Sequence, residues 1–146
     1  MNVPDKSELM WAVIQKLLFV PYRWGGDDPM AGFDCSGGVQ EILASVGIDP
    51  KGDQTADMLM NHFMKEENGS AQPHICFGDL LFFGKGLKST HVAIAVNEDV
   101  MFEFGGGGSK TVDLDSAKAH NAYGRFRRID NRKDLLHCVR VKELGG

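Results

Sequence analysis

Cysteine is scarce in this chain, with 3 in 146 residues, and the number is odd. A small protein stapled by disulfides carries more cysteines and an even count, so that class is excluded and at least one thiol is free. Long apolar runs are missing too: none approaches the ~18 residues of a membrane-crossing helix. Positive charge is not in excess, since 16 Lys and Arg stand against 20 Asp and Glu, a net charge of -4. That balance provides no electrostatic footprint for nucleic acid or an anionic membrane. The opening Met1-Asn2-Val3-Pro4-Asp5 has no basic residue, and the apolar residues after it are broken by Gln15 and Lys16. This does not look like a secretory leader, and a protein made in the cytosol is expected. There is no internal repeat and no long linker, so residues 1–146 are expected to form one domain. Metal signatures fail as well. No H-E-x-x-H and no cysteine pair at zinc spacing occurs, and Asp27-Asp28-Pro29 lacks the alternating acids of a calcium loop. No metal or cofactor is expected. Glycine alone is abundant, at 18 residues against a usual ~7%.

The first half reads as helices. Asp5 with Glu8 resembles a capping box, and Met10, Val13, Ile14 and Leu17 follow at helical spacing, with Pro21 as the stop. Residues 22–32 hold Gly25-Gly26-Asp27-Asp28-Pro29 and read as an irregular loop. A second helix is predicted from Cys35 to about Val46, burying Val39, Ile42 and Leu43, with Gly47 just past its end. Thr55 caps a short third helix carrying Met58, Leu59, Phe63 and Met64, and residues 66–73 read as a loop. The second half reads as strands: Leu80–Phe83, His91–Val96, Val100–Phe104, Gly124–Ile129 and His137–Val141. Helices first and hairpin-linked strands after predict an α+β fold with an antiparallel sheet.

Cys35, in Gly32-Phe33-Asp34-Cys35-Ser36-Gly37-Gly38, falls at the first turn of the second helix. Unpaired N–H groups and the positive helix end favour a thiolate there, and the same groups suit an oxyanion. The ordinary alternative is a buried structural cysteine. A nucleophilic cysteine needs a base. His91 shares a strand face with Ala93 and Ala95, and those small residues leave room against that face for a helix N-terminus. His62, His74, His120 and His137 lack such surroundings. If Val96 pairs with Val100, Glu103 falls opposite Ala93 and diagonal to His91, within reach of a long side chain. A carboxylate there orients an imidazole. A satisfied strand histidine and an exposed glutamate are the alternatives.

Pro21-Tyr22-Arg23-Trp24-Gly25-Gly26 and Gly32–Gly37 resemble the nucleophile signature of the NlpC-type cell-wall cysteine peptidases. Gly78-Asp79-Leu80-Leu81-Phe82-Phe83 resembles the strand before their histidine, and His91–Val96 the histidine strand itself. The match runs in order from about Leu17 to Gly108. The resemblance implies a compact papain-like α+β domain with its N-terminal helices packed on an antiparallel sheet. It implies Cys35 as nucleophile, His91 as general base and Glu103 at the third catalytic position, where the family most often has His. Tyr22 matches a residue that helps the oxyanion or positions substrate, and Asp34 and Ser36 match residues lining the pocket for the stem-peptide amine. Gly37-Gly38 departs from the usual Gly-Leu, which touches helix packing more than chemistry. The implied reaction is hydrolysis of peptidoglycan stem peptides, most typically at the γ-D-glutamyl–diamino acid bond, through a thioester.

Residues 101–111 are similar to phage- and prophage-associated members. With the absent leader, that favours a phage lysin or tail-associated hydrolase over a trimmed secreted enzyme. Two other classes stay open: a thiol acyltransferase or amide hydrolase on another substrate, and a non-catalytic wall-binding or tail module. Peptidoglycan stem peptides are the expected partner, with no nucleic acid and no membrane, and the sequence does not decide the oligomeric state. With 146 residues, no separate wall-binding domain is expected beside the catalytic one. Gly105–Thr111 is not a phosphate loop, because the residue five after Gly105 is Lys110. The run either lets backbone pass close to substrate or is a flexible loop. Cys76 and Cys138 are expected in the core, Trp11 in helix packing, and Arg125, Arg127 and Arg128 on a solvated strand face.

Overall fold

In the computed structural model, which describes residues 3–28, 32–48, 50–108 and 110–145, the first helix begins where Asp5 accepts the Glu8 N–H at 2.8 Å. Met1, Asn2, Pro29 and Ser109, part of the expected start, acidic loop and glycine run, lie outside the described residues. Helix α1 (Lys6–Leu17) buries Met10, Ile14 and Leu17. It ends before Pro21 acts: Phe19 takes a left-handed φ of 67° and donates its N–H to the Gly124 carbonyl at 2.9 Å. The expected irregular loop holds a short antiparallel ribbon, β1 (Asp27–Asp28) with β2 (Gly32–Phe33). Helix α2 (Cys35–Ala44) buries Val39, Ile42 and Leu43, and Gly47 follows it at φ 75°. Helix α3 (Ala56–Phe63) starts where Thr55 accepts the Met58 N–H at 3.1 Å; it buries Leu59 and Phe63 and leaves Met58 exposed.

The strands are β3 (Gly69–Ala71), β4 (Leu80–Lys85), β5 (Lys88–Ala95) and β6 (Val100–Gly105). Helix α4 (Leu114–His120), β7 (Tyr123–Arg128), a 3-10 turn (Ile129–Asn131), β8 (Leu135–Val141) and the short α5 (Lys142–Gly145) complete the order. One six-stranded sheet runs β3-β8-β4-β5-β6-β7, with every neighbouring pair antiparallel. Besides the β1–β2 ribbon, the 3-10 turn and α5, two more elements have no counterpart in the sequence-based expectation. β3 is an edge triplet of small residues, Gly-Ser-Ala, without apolar alternation, found where a loop was expected. α4 is held by an Asp113–Ser116 capping box and buries only Ala117, so it carries no apolar stripe to read.

The helices cover the bulky face of the sheet. Met10, Ile14, Ile42, Leu43 and Leu59 pack with Val92, Ile94, Phe102 and Phe104, where each large apolar side chain stabilises by roughly 1.5–3 kcal/mol. The small face, Ala93 and Ala95, was expected to receive a helix. It is covered instead by Leu81, Phe83, Met101, Ile129 and Cys138. Cys138 is buried as expected, and its thiol is pushed up to about 12, first by burial and then by Asp79. Cys76 is exposed, not core. It lies in the turn before β4, where its N–H bonds the buried Asp79 carboxylate at 2.9 Å. Trp11 packs at the surface, stacked on Phe126 at 5.9 Å.

Gly38 explains the departure from Gly-Leu. A Cβ there would run into the Phe104 ring, which is held edge-on by Phe33 and Phe102 at 5.3 and 5.8 Å. Alanine is better than glycine inside a helix by up to about 1 kcal/mol, whereas overpacking a fixed core costs about 1–3 kcal/mol. Gly38→Ala is therefore expected to lower the thermal midpoint of unfolding; an unchanged or raised midpoint would show that the ring yields.

Candidate active site

Cys35 owes its place to the residue before it. Asp34 is extended, and its Oδ1 accepts the Gly37 N–H at 2.7 Å and the Ser36 hydroxyl at 3.3 Å, so α2 starts at Cys35. The Asp34 N–H donates to the Gly26 carbonyl at 3.2 Å, tying the helix start to the β1–β2 ribbon. A Cβ on Gly37 would collide with that same carbonyl. The Asp34 carboxyl is pushed up, first by burial and further by Asp53, against the pull of its hydrogen bonds.

His91 follows a bulge. Pairing with β4 steps from Phe83–His91 to Gly84–Ser89, leaving Thr90 as the extra residue, and a bulge re-aims neighbouring side chains. The Ser89 hydroxyl sits 3.0 Å from the carbonyls of Phe83 and His91, and its N–H bonds Asp57 at 2.9 Å. The β5–β6 register is the one the Val96–Val100 turn predicts: Ile94 pairs with Phe102 and Ala95 with Met101. Glu103 consequently lies diagonal to His91, with Oε1 2.9 Å from Nε2. Cys35 and His91 line the same cleft, with Cys35 near enough to act on the imidazole.

Charge is concentrated at this point. Burial drives the His91 pKa down, but hydrogen bonds to Cys35 and Glu103 and their negative charge outweigh it and raise it to about 9. For Glu103 burial works upward, and the bonds and charge of His91, then Arg125, hold it down to about 2. The pair is an imidazolium and a carboxylate near neutrality. Tyr22 is buried, and its hydroxyl is pushed up by that burial and then by the nearby charges of Cys35 and Asp34.

All six candidates, Tyr22, Asp34, Cys35, Ser36, His91 and Glu103, line one cleft of about 730 Å³. The described glycines of the run, Gly105 to Gly108, line this cleft. A Cβ on Gly107 would strike the Tyr22 ring, and one on Gly105 the Glu103 carboxylate, so these glycines pack on the protein's own site residues. His120, set aside in the sequence, sits 2.7 Å from the Thr111 hydroxyl and steadies the far end of this segment.

The arginines are a correction. Arg125 and Arg127 do not lie on a solvated face; both turn to Glu103, at 3.1 and 3.5 Å, and both line the cleft. Only Arg128 points away, to Asp130 at 2.8 Å. Arg132, over the Phe83 ring at 4.9 Å, lines the cleft too. The pairing of Arg125 and Arg127 with Glu103 depends on the β6–β7 register across the unforeseen α4.

The model of the NlpC/P60 family matches residues 19–128. The chain is 34% identical over 116 residues to the bifunctional muramidase/DL-endopeptidase CwlT of Bacillus subtilis (strain 168), covering 75% of this chain and 32% of that protein. It is 31% identical over 99 residues to the gamma-DL-glutamyl hydrolase of the same organism, covering 65% and 22%. It thus spans a third or less of these curated relatives. The crystal structure of the NlpC/p60 domain of peptidoglycan hydrolase SagA superposes with a TM-score of 0.66 at 22% identity, over 92% of this chain and 97% of that one. That likeness establishes the shared papain-like fold.

Proposed function

The chain belongs to the NlpC/P60 family, and we propose that residues 1–146 act as one catalytic domain, a thiol peptidase cutting peptidoglycan stem peptides at the γ-D-glutamyl–diamino acid bond. One observation carries this reading: a buried imidazole bonded to a buried carboxylate shares the wall of an open cleft with a cysteine at a helix start. The names of relatives, a DL-endopeptidase and a gamma-DL-glutamyl hydrolase, support the substrate class.

The Cys35 thiolate attacks the amide carbonyl carbon, and the oxyanion is received by the first-turn N–H groups of α2 that precede the Gly37 N–H held by Asp34 and that intrahelical bonding leaves unpaired, with the Tyr22 hydroxyl beside them. His91 gives its proton to the leaving amine as the C–N bond breaks, leaving a thioester. Neutral His91 then takes a proton from water, the hydroxide attacks the thioester, and the thiolate departs as the acid is released. Asp34 and Ser36 present an acidic, polar wall for the stem-peptide amine. The likeness of residues 101–111 to phage- and prophage-associated members supports a lysin or tail-associated setting.

Digestion of purified muropeptides, with product masses read, tests the proposal. A new pair of fragments ending in D-glutamate and beginning with a diamino acid is expected. Intact muropeptides, or cleavage at another bond only, would refute the assignment.

A further inference from the structure

We propose that Arg125 is a positioning residue for this reaction: its guanidinium holds the Glu103 carboxylate ionised and in one orientation, so that the other oxygen stays on His91. The inference rests on the functional reading above and extends it to a residue outside the Cys–His–Glu set.

The two Glu103 oxygens are divided between partners. Oε1 takes His91 at 2.9 Å, while Oε2 takes both Nε and Nη2 of Arg125 at 3.1 Å each, with Arg127 Nη1 at 3.5 Å. The Glu103 side chain is 1% exposed, and a buried carboxyl without a cation tends to bind a proton. Once protonated, Glu103 no longer favours the imidazolium. Two prongs of Arg125 on Oε2 supply charge and hold that oxygen, which leaves Oε1 to His91. Neighbouring backbone is cleared for it. Glu103 pairs directly with Arg125 across β6–β7. At Gly105, two residues on and on the same face, a Cβ would run into Glu103 Oε2 and come 2.9 Å from Arg125 Nη2. At Gly106 a Cβ would lie 3.2 Å from Nη1. The glycines after Glu103 thus make the space in which the ion pair forms. The other titratable or charged groups around it are Arg127 on β7, Cys35 on α2, and Arg132, which is itself clamped by Asp134 at 2.7 Å.

The test uses Arg125→Gln and Arg125→Lys, each alone and with Glu103→Gln, in a Cys76→Ser background. Two quantities are read: the pH dependence of Cys35 alkylation by iodoacetamide, which needs no substrate, and kcat and KM on the muropeptide. Arg125→Gln is expected to lower kcat by about 10- to 100-fold with KM little changed. It is also expected to move the acid limb of alkylation up by about one pH unit, since Glu103 loses a cation. Arg125→Lys, which keeps the charge and loses the fork, is expected to restore the acid limb and only part of kcat. With Glu103→Gln already present, Arg125→Gln is expected to change kcat less than about twofold. An equal loss in that background, a raised KM with kcat intact, or an unmoved acid limb overturns the proposal. If Arg125→Gln does not fold, Arg125→Lys decides: full wild-type kcat overturns the fork. If the protein folds but leaves muropeptides intact, the alkylation profiles still decide the coupling, so the two failures are told apart.

Discussion

Cys35→Ala is expected to abolish stem-peptide cleavage, lowering kcat by roughly 10⁴- to 10⁶-fold, the scale seen when a covalent nucleophile is removed. The chain has two other thiols, and neither can substitute. Cys138 is buried, and its thiol is pushed up to about 12. Cys76 is exposed but sits in the turn before β4, outside the cleft lining. Cys35→Ser is expected to be nearly as inactive, because a serine hydroxyl beside His91 does not ionise as a thiol does. Both substitutions remove or exchange one small atom at a half-buried position, so the melting temperature should hold within a few degrees and separate lost chemistry from lost fold. Product masses from muropeptides, wild type beside Cys35→Ala, check this. Equal cleavage by the mutant would remove Cys35 from the mechanism. Iodoacetamide labelling with peptide mapping gives a second check: Cys35 is expected to label faster than Cys76, a solvent-exposed internal control.

The second large effect is at Glu103. Glu103→Gln keeps the shape and removes the charge that raises His91. Burial, the largest influence on the imidazole and a downward one, then loses one of its two main opponents and is opposed chiefly by Cys35. The alkaline limb of kcat/KM, expected near 9 in the wild type, should fall toward 6.5 or lower. At neutral pH the rate should drop by about 10²- to 10⁴-fold, the upper end being that of a triad whose orienting acid is amidated. Stability follows the same groups. His91 has a folded-state pKa above its ordinary 6.5, so its contribution is complete below 6.5 and is lost as pH rises through about 9. Glu103 is shifted the other way; its contribution is present above its ordinary 4.5 and is lost as pH falls through about 2. Thermal melts of the wild type should therefore decline on both flanks, and Glu103→Gln should flatten both. A mutant that keeps the alkaline limb near 9 would show that Glu103 does not set the charge of His91.

The parts of the site legible in the sequence were those governed by short-range rules. Asp34 caps α2 because a carboxylate three residues before Gly37 can reach its N–H, and that local bond puts Cys35 at the helix start. The Val96–Val100 turn sets the β5–β6 register by counting alone, and the register carries Glu103 to His91. What misled was the choice of face. Small residues beside His91 suggested a helix above them, yet the helices went to Val92, Ile94, Phe102 and Phe104, where more apolar area is buried. Cys76 has apolar neighbours in sequence but sits in a turn before the strand, so its neighbours do not bury it.

The sequence by itself determined the fold class, the helix that presents Cys35 and the hairpin that joins His91 to Glu103, because capping, periodicity and turn length act over a few residues. Only the tertiary structure decided what surrounds that hairpin. Arg125 reaches Glu103 across a connection containing α4, and Gly105 is needed because two side chains from different strands meet above it. Tyr22 comes under Gly107 from more than eighty positions away in the chain. Such contacts depend on which faces of the sheet are buried, a choice made by the summed apolar area of the whole chain and visible in no single segment.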